Sequence, residues 1–324
     1  MAVLPRVLRS LEERTLATGT HKITFFAMGT SCSVTFAAPT AAAERDFTYT
    51  VLRWVAAFEV KYSRFLPDSL IGRINAAAGS EWIAIDAETD RMFTLCDQLT
   101  FMTQGAFDPT ALPLIQLWNW KAQPAIIPDD TAIAAARELV GWNKVQRQPD
   151  RVFLPEPGMA LDLGGFGKEY AVDCVAQLAT SFGIRSALID FGQDVRALGH
   201  PPGKHAWHVG LEDPNHPGAC WNSVAATDIA VATSGDYRRC FVKDGRRYGH
   251  ILDPRTGQPV DNGCLSVTVI APSCTMAGVL STSAFIIGPR DGIRLIETCT
   301  GAEACILTAK GNYETRRFQT YVTQ

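Results

Sequence analysis

The 324-residue chain has no run of Lys or Arg, no CxxC pair and no uninterrupted apolar stretch of membrane length. Each absence excludes a class. With 30 Lys+Arg against 33 Asp+Glu the formal charge is −3, and no basic face is available to neutralise nucleic-acid phosphates. Nucleic acid is therefore not an expected partner. The nine cysteines (32, 96, 174, 220, 240, 264, 274, 299 and 305) follow no zinc spacing. An odd, unpatterned set in a chain this long reads as reduced core thiols rather than a disulfide framework. Charges at Arg6, Arg9, Glu12, Glu13 and Arg14 break up the first 22 residues, leaving no signal-peptide core and no membrane segment. A cytoplasmic location is the expectation. Repeats, low-complexity tracts and Gly/Ser linkers are absent too. What is present is an ordinary globular composition, 47% hydrophobic and 19% charged, which can bury a sizeable core. A soluble enzyme or a ligand-binding protein remains.

The periodicities mix helix and strand. Residues 23–36 read as two short strands around Met28-Gly29-Thr30. Helical spacing follows over 41–60 (Phe47, Val51, Val55, Phe58), 86–102 (Met92, Leu95, Leu99, Met102) and 166–182 (Tyr170, Val175, Leu178, Phe182). The second half carries short apolar or β-branched runs at 186–190, 207–211, 229–232 and 266–270, then helices at 274–287 and 289–299. The elements do not alternate strictly, so the expected class is α+β, with a mixed, mainly antiparallel sheet and packed helices. Length alone suggests roughly two domains of about 150 residues. The even distribution of motifs favours one domain over 23–324, preceded by an extension over 1–22.

Three segments spend Gly, Asp and hydroxyl residues where chemistry could sit. In Gly105-Ala106-Phe107-Asp108-Pro109-Thr110, the proline keeps Asp108 extended at a corner; Asp108 or Thr110 could equally be a helix N-cap. Leu161 to Tyr170 runs an apolar strand through Gly164, Gly165 and Gly167 into a helix, where free N–H groups can hold phosphate. It is not a Walker loop, because Asp162 stands where the first glycine belongs, nor GxGxxG, because Tyr170 replaces the third. Such a turn is often purely structural. The third segment pairs Thr233-Ser234-Gly235-Asp236-Tyr237 with Gly249-His250-Ile251-Leu252-Asp253-Pro254-Arg255-Thr256-Gly257, a strand ending in a tight turn. His250, just before that turn, is either a structural histidine or a ligand or catalytic group. The tripeptide Asp190-Phe191-Gly192 lacks the other kinase motifs. His205 and His208 fall on opposite faces of a strand, and Trp118-Asn119-Trp120 reads as aromatic packing or a rim.

In this order, together with Pro67-Asp68-Ser69 and Arg73-Ile74-Asn75, these segments resemble the ApbE-type FAD:protein FMN transferases over nearly the whole chain. The resemblance implies magnesium-dependent cleavage of the FAD pyrophosphate. FMN would pass to a Thr or Ser hydroxyl of an acceptor flavoprotein, with AMP released. It implies flavin contacts at Met28, Phe65, Ala106, Phe107, Asp108, Asp162, Lys168 and Ile251. His250 would stand near the reacting phosphates, polarising a phosphate oxygen or assisting proton removal. Magnesium would be held by Thr282 and a carbonyl at Gly165.

Two positions depart from the family pattern. Ala277-Gly278-Val279-Leu280-Ser281-Thr282 keeps the threonine but has Gly278 where the family places its principal metal carboxylate. Glu169 stands where a glycine often follows the lysine. A lost carboxylate weakens a hard-cation site, so two further readings accompany the transferase: a FAD-binding homologue of impaired activity, acting as carrier or regulator, and a FAD pyrophosphatase. Family members are mostly exported or lipid-anchored, whereas the N-terminus here points to an acceptor inside the cell.

Overall fold

The computed structural model describes residues 3–323, apart from 121, 123–125, 217, 238 and 244. Its frame is a nine-stranded sheet whose spatial order follows the chain. The strands are β1 (Glu12–Thr15), β2 (His21–Ala27), β3 (Thr30–Ala37), β4 (Ser186–Phe191), β5 (Asp194–Leu198), β6 (Ala230–Gly235), β7 (Cys264–Ala271), β8 (Glu303–Thr308) and β9 (Gly311–Glu314). Every neighbouring pair is antiparallel. The expected α+β class and single domain are what the structure has; the sheet itself is antiparallel rather than mixed.

Between β3 and β4 the chain inserts helices α2 (Ala41–Tyr62), α3 (Leu70–Ala76), α4 (Ala87–Met102), α5 (Leu112–Trp118), α6 (Asp130–Arg137) and α7 (Gly167–Ser181), with α1 (Val3–Arg9) preceding the sheet. After β7 come α8 (Cys274–Ile287) and α9 (Pro289–Glu297). Sequence explains the boundaries. Thr40, Asp86 and Ser273 each accept a hydrogen bond from a backbone N–H three residues on, at the starts of α2, α4 and α8. On α2, Phe47, Val51, Val55, Phe58 and Tyr62 form the buried stripe.

Helices α2, α7 and α8 pack on the sheet and on one another, enclosing the main core. Strand β7 and the first half of β6 are buried on both faces: a separate cluster of Val231, Ile270, Leu211 and Phe318 lies against a small sheet formed by Trp207–Glu212, Cys220–Ala226 and Val322–Thr323. That double burial is why Cys264–Ala271 reads as an almost continuous apolar run. The segment expected as an extension is packed in: Val3 and Val7 of α1 join the main core, and β1 pairs with β2. Its first two residues lie outside the described part.

Candidate active site

The hairpin β2–β3 turns on two residues, Met28 and Gly29, with φ of 50° and 74°. Two consecutive positive φ values make the mirror-image turn that matches strand twist, yet Met28 has a Cβ and adopts this region at a cost. The turn is held from below. The Met28 N–H donates to Glu59 Oε2 at 2.8 Å, and Arg6 Nη2 grips the same carboxylate at 2.5 Å. The neighbouring hairpin β4–β5 uses the same device at Gly192 and Gln193 (φ 66° and 75°). A Cβ on Gly192 would lie 2.5 Å from Thr30 Oγ1, so the two turns touch only because this residue is glycine. Phe191, the middle of the kinase-like tripeptide, is simply core, edge-on to Phe25.

The Gly-rich turn is clamped by side chains from the α2–α3 region. Asn75 Nδ2 donates to the Leu161 carbonyl at 3.0 Å while its Oδ1 accepts from the Leu161 N–H at 2.7 Å. Asp162 accepts from the Gly164 N–H at 2.9 Å and pairs with Arg64 Nε at 3.0 Å. The Arg64 guanidinium also lies 4.2 Å from the centroid of Phe65, whose ring is 76% exposed. Phe65 is thus a presented aromatic face tied through Arg64 to Asp162. No side chain caps the start of α7, so the first-turn N–H groups and the positive end of its dipole are left for a ligand.

Lys168, in that first turn, donates to Asp194 Oδ2 at 2.6 Å and Glu169 Oε1 at 3.2 Å. Burial opposes its charge, but the two carboxylates outweigh burial and raise its pKa. The ammonium expected to meet flavin is therefore also the counter-charge of a buried triad.

Asp162 N–H donates to the Pro109 carbonyl at 2.8 Å, which brings the Gly105–Thr110 corner alongside. Asp108 caps no helix: α5 has Ala111 at its N-cap and no side-chain bond there. Instead Asp108 Oδ1 accepts from the Thr110 N–H (2.8 Å) and hydroxyl (2.5 Å), and Oδ2 accepts from the Trp142 N–H (3.0 Å). Burial raises its pKa, partly offset by these bonds. Its side chain is committed to the protein, which leaves the backbone of this corner for a cofactor. Ala106, Phe107 and Ile251 are buried in the main core. Phe107 stands edge-on to Phe166, and its ring would be 3.6 Å from a Cβ on Gly165.

The His250 segment is built around its own turn. Asp253 accepts from the Arg255 N–H and binds its guanidinium through Nε (2.9 Å) and Nη2 (2.8 Å). Trp118 Nε1 donates to the Gly257 carbonyl at 2.7 Å, so Trp118 is a buried strut of this loop. Arg255 Cγ would lie 3.9 Å from a Cβ on Gly105, joining this turn to the Asp108 corner. The Asp236 carboxylate binds Arg247 and fixes the hairpin of Cys240–Lys243 and Arg246–Gly249 that leads into His250. His250 lines a small cavity with Ile115, Trp118, Trp120 and Leu252. Burial, reinforced by the Arg239 charge, lowers its pKa from 6.5 to about 4, so the imidazole is neutral at pH 7. Its Nδ1 is buried and has no hydrogen-bond partner among the described residues. A roomier cavity of about 410 Å³ between α4, α7 and the start of α8 contains none of the expected site residues.

On α8, Thr282 and Ser281 both bond to Ser234 Oγ at 2.8 Å, and Ser281 donates to the Gly278 carbonyl at 2.9 Å. The Gly105–Thr110 corner and the Gly-rich turn are therefore joined by a hydrogen bond, and Arg255 brings the Asp253 turn beside Gly105. Glu59, Arg64 and Asp194 are supports that nothing in the local sequence marked.

The ApbE family profile matches residues 28–306. The chain belongs to the ApbE family. It is 32% identical over 238 residues to the FAD:protein FMN transferase of Vibrio cholerae, covering 72% of this chain and 71% of that protein. The protein of the same name from Treponema pallidum is 33% identical over 259 residues, 74% and 71% of the two chains. Among solved structures, the ApbE protein of Thermotoga maritima superposes with a TM-score of 0.85 at 32% identity, over 94% of this chain and all 100% of that one. The flavinyl transferase ApbE of Pseudomonas stutzeri gives 0.84 at 28% identity, over 95% and 97%.

Proposed function

We propose that this family member cleaves the FAD pyrophosphate and joins FMN, through a phosphoester, to a Thr or Ser hydroxyl of an acceptor flavoprotein, releasing AMP. The observation that carries this reading is the hydrogen bond that joins the Gly-rich turn to the Gly105–Thr110 corner, ahead of a helix start that no side chain caps; the neutral, buried His250 supplies the candidate base. In the transfer, the acceptor oxygen bonds to the FMN phosphorus, the P–O bond to the AMP phosphate breaks, and the hydroxyl proton must leave. Phosphoryl transfer needs positioning and charge stabilisation more than covalent help from protein.

The parts suit those needs. First-turn N–H groups of α7 hold phosphate oxygens. His250, already in its base form at pH 7, is the candidate proton acceptor; the charge of a bound pyrophosphate raises its basicity. Phe65 offers a ring face, and the rigid Met28 turn offers a fixed edge, to the isoalloxazine.

Among the described residues no three His, Cys, Asp or Glu side chains are grouped to hold a metal. Oxygen donors nevertheless fit Mg²⁺, which is usually bound by one or two carboxylates plus substrate phosphates. The Thr282 hydroxyl and the Gly165 carbonyl would hold it, with substrate phosphates completing the oxygen donors. A cation held there would supply charge neutralisation and orientation of the pyrophosphate.

No described helix is long and apolar enough to cross a membrane. The nine cysteines are all unpaired, as in chains kept in a reducing compartment, and on that ground the acceptor is placed in the cytoplasm. The test incubates the protein with FAD, Mg²⁺ and an acceptor flavoprotein. Covalent flavin seen by in-gel fluorescence, with stoichiometric AMP, is the expected result. FMN plus AMP without acceptor would assign a pyrophosphatase instead; tight FAD binding without AMP would assign a carrier.

A further inference from the structure

Glu169 is 6% exposed, and its two carboxylate oxygens differ. Oε1 accepts from Lys168 Nζ, whereas Oε2 is buried and meets no donor among the described residues. The Asp194 carboxyl, pushed up to about 7 chiefly by burial, also faces this glutamate, so two acidic groups share one lysine. A buried carboxylate oxygen left unsatisfied is costly unless something is meant to meet it. Its neighbour on α8 explains how the side chain fits. A Cβ on Gly278 would lie 2.5 Å from Glu169 Cγ and 3.0 Å from both Cδ and Oε1. The space beside position 278 is already filled, by a carboxylate reaching across from α7. With Glu169 in this rotamer, a side chain at 278 would collide with it. One turn further along α8, on the same face, are the Ser281 and Thr282 hydroxyls with Ser234.

We propose that Glu169 is the carboxylate ligand of the phosphate-bridging divalent cation, delivered from α7 into the space that Gly278 vacates on α8. The proposal rests on the transferase reading for its substrate, but not for its geometry. Lys168 holds Oε1 and sets the rotamer, Oε2 faces the ion, and Thr282 supplies a hydroxyl oxygen. A glycine at 278 is then the condition for metal binding rather than its loss. The carboxylate has moved from one helix to the other while the charge of the site is kept.

The test reads metal binding directly. Mn²⁺, as the EPR-active substitute for Mg²⁺, is titrated into the full-length protein with saturating FAD. Glu169→Gln keeps the size and the Lys168 contact and is expected to weaken Mn²⁺ at least tenfold, with metal-free FAD binding, read by flavin fluorescence, little changed. Gly278→Asp alone is expected to lose thermal stability by collision with Glu169. Glu169→Gly combined with Gly278→Asp is expected to return Mn²⁺ affinity to within a few-fold of the starting protein. Unchanged Mn²⁺ affinity in Glu169→Gln, or no Mn²⁺ binding by the unaltered protein with FAD, overturns the proposal. Acceptor labelling is scored separately. Glu169-dependent Mn²⁺ binding without flavin transfer defeats the transferase reading and leaves the ligand assignment standing; transfer with a Glu169-independent metal does the reverse.

Discussion

The Met28 N–H donates to Glu59 Oε2 at 2.8 Å, and Arg6 closes on the same carboxylate. A strained turn in the second hairpin is thus braced by α2 and, through it, by α1. Glu59→Ala removes both bonds and leaves a half-buried N–H without its acceptor; the expected cost is on the order of 2 kcal/mol, read as a lower urea midpoint, together with weaker FAD binding. Glu59→Gln, which keeps an acceptor oxygen, should lose about half as much. An unaltered midpoint for Glu59→Ala would show that the turn needs no brace.

Asp108 is expected to behave as a structural residue. Its three hydrogen bonds tie the corner to Thr110 and Trp142, so Asp108→Ala should destabilise the protein by about 2–4 kcal/mol. Loss of FAD affinity at full stability would instead mean that its carboxylate contacts the cofactor.

His250 makes stability depend on pH. Its pKa is about 4 in the fold against 6.5 as the ordinary value. The depressed folded value means that the unfolded chain takes up the proton first as pH falls. The stabilising contribution is complete above pH 6.5 and declines between there and pH 4, by about 3 kcal/mol in total. Urea denaturation at several pH values should show this decline, and His250→Asn should flatten that portion of it. The same slope in His250→Asn would assign the effect to another group.

Trp118 acts on the Asp253 turn through one bond, from Nε1 to the Gly257 carbonyl at 2.7 Å. Trp118→Phe should cost about 1 kcal/mol. Steady-state flavin transfer should show a several-fold rise in KM for FAD with a smaller change in kcat, because the loop is loosened and no reacting group is removed. A fall in kcat alone would place Trp118 at the chemistry.

Much of this architecture is legible locally. The stripe Phe47, Val51, Val55 and Phe58 identifies α2, and the caps Thr40, Asp86 and Ser273 are side chains of the expected type at the expected places. The glycines at 105, 164 and 165 and the turn at Asp253-Pro254 point to the loops that meet. What sequence does not carry is which side chain answers which across the fold. The Asp108 carboxylate looks available until Trp142 is seen to occupy it. Gly278 reads as a missing charge until Glu169, on another helix, is found against it. Both depend on the crossing of distant elements, which no local pattern specifies.

The pairing of β3 with β4 has a consequence for synthesis. Cys32–Ala37 finds its partner in Ser186–Phe191, after six helices have been made. Until then the β3 edge of the three-stranded meander, which bears the apolar residues Cys32, Val34 and Phe36, stays unpaired. Such an edge is a template for strand addition by other chains, and non-local pairing of this kind slows folding. The interval before β4 leaves the ribosome is therefore when the protein is most exposed to aggregation and most in need of a chaperone.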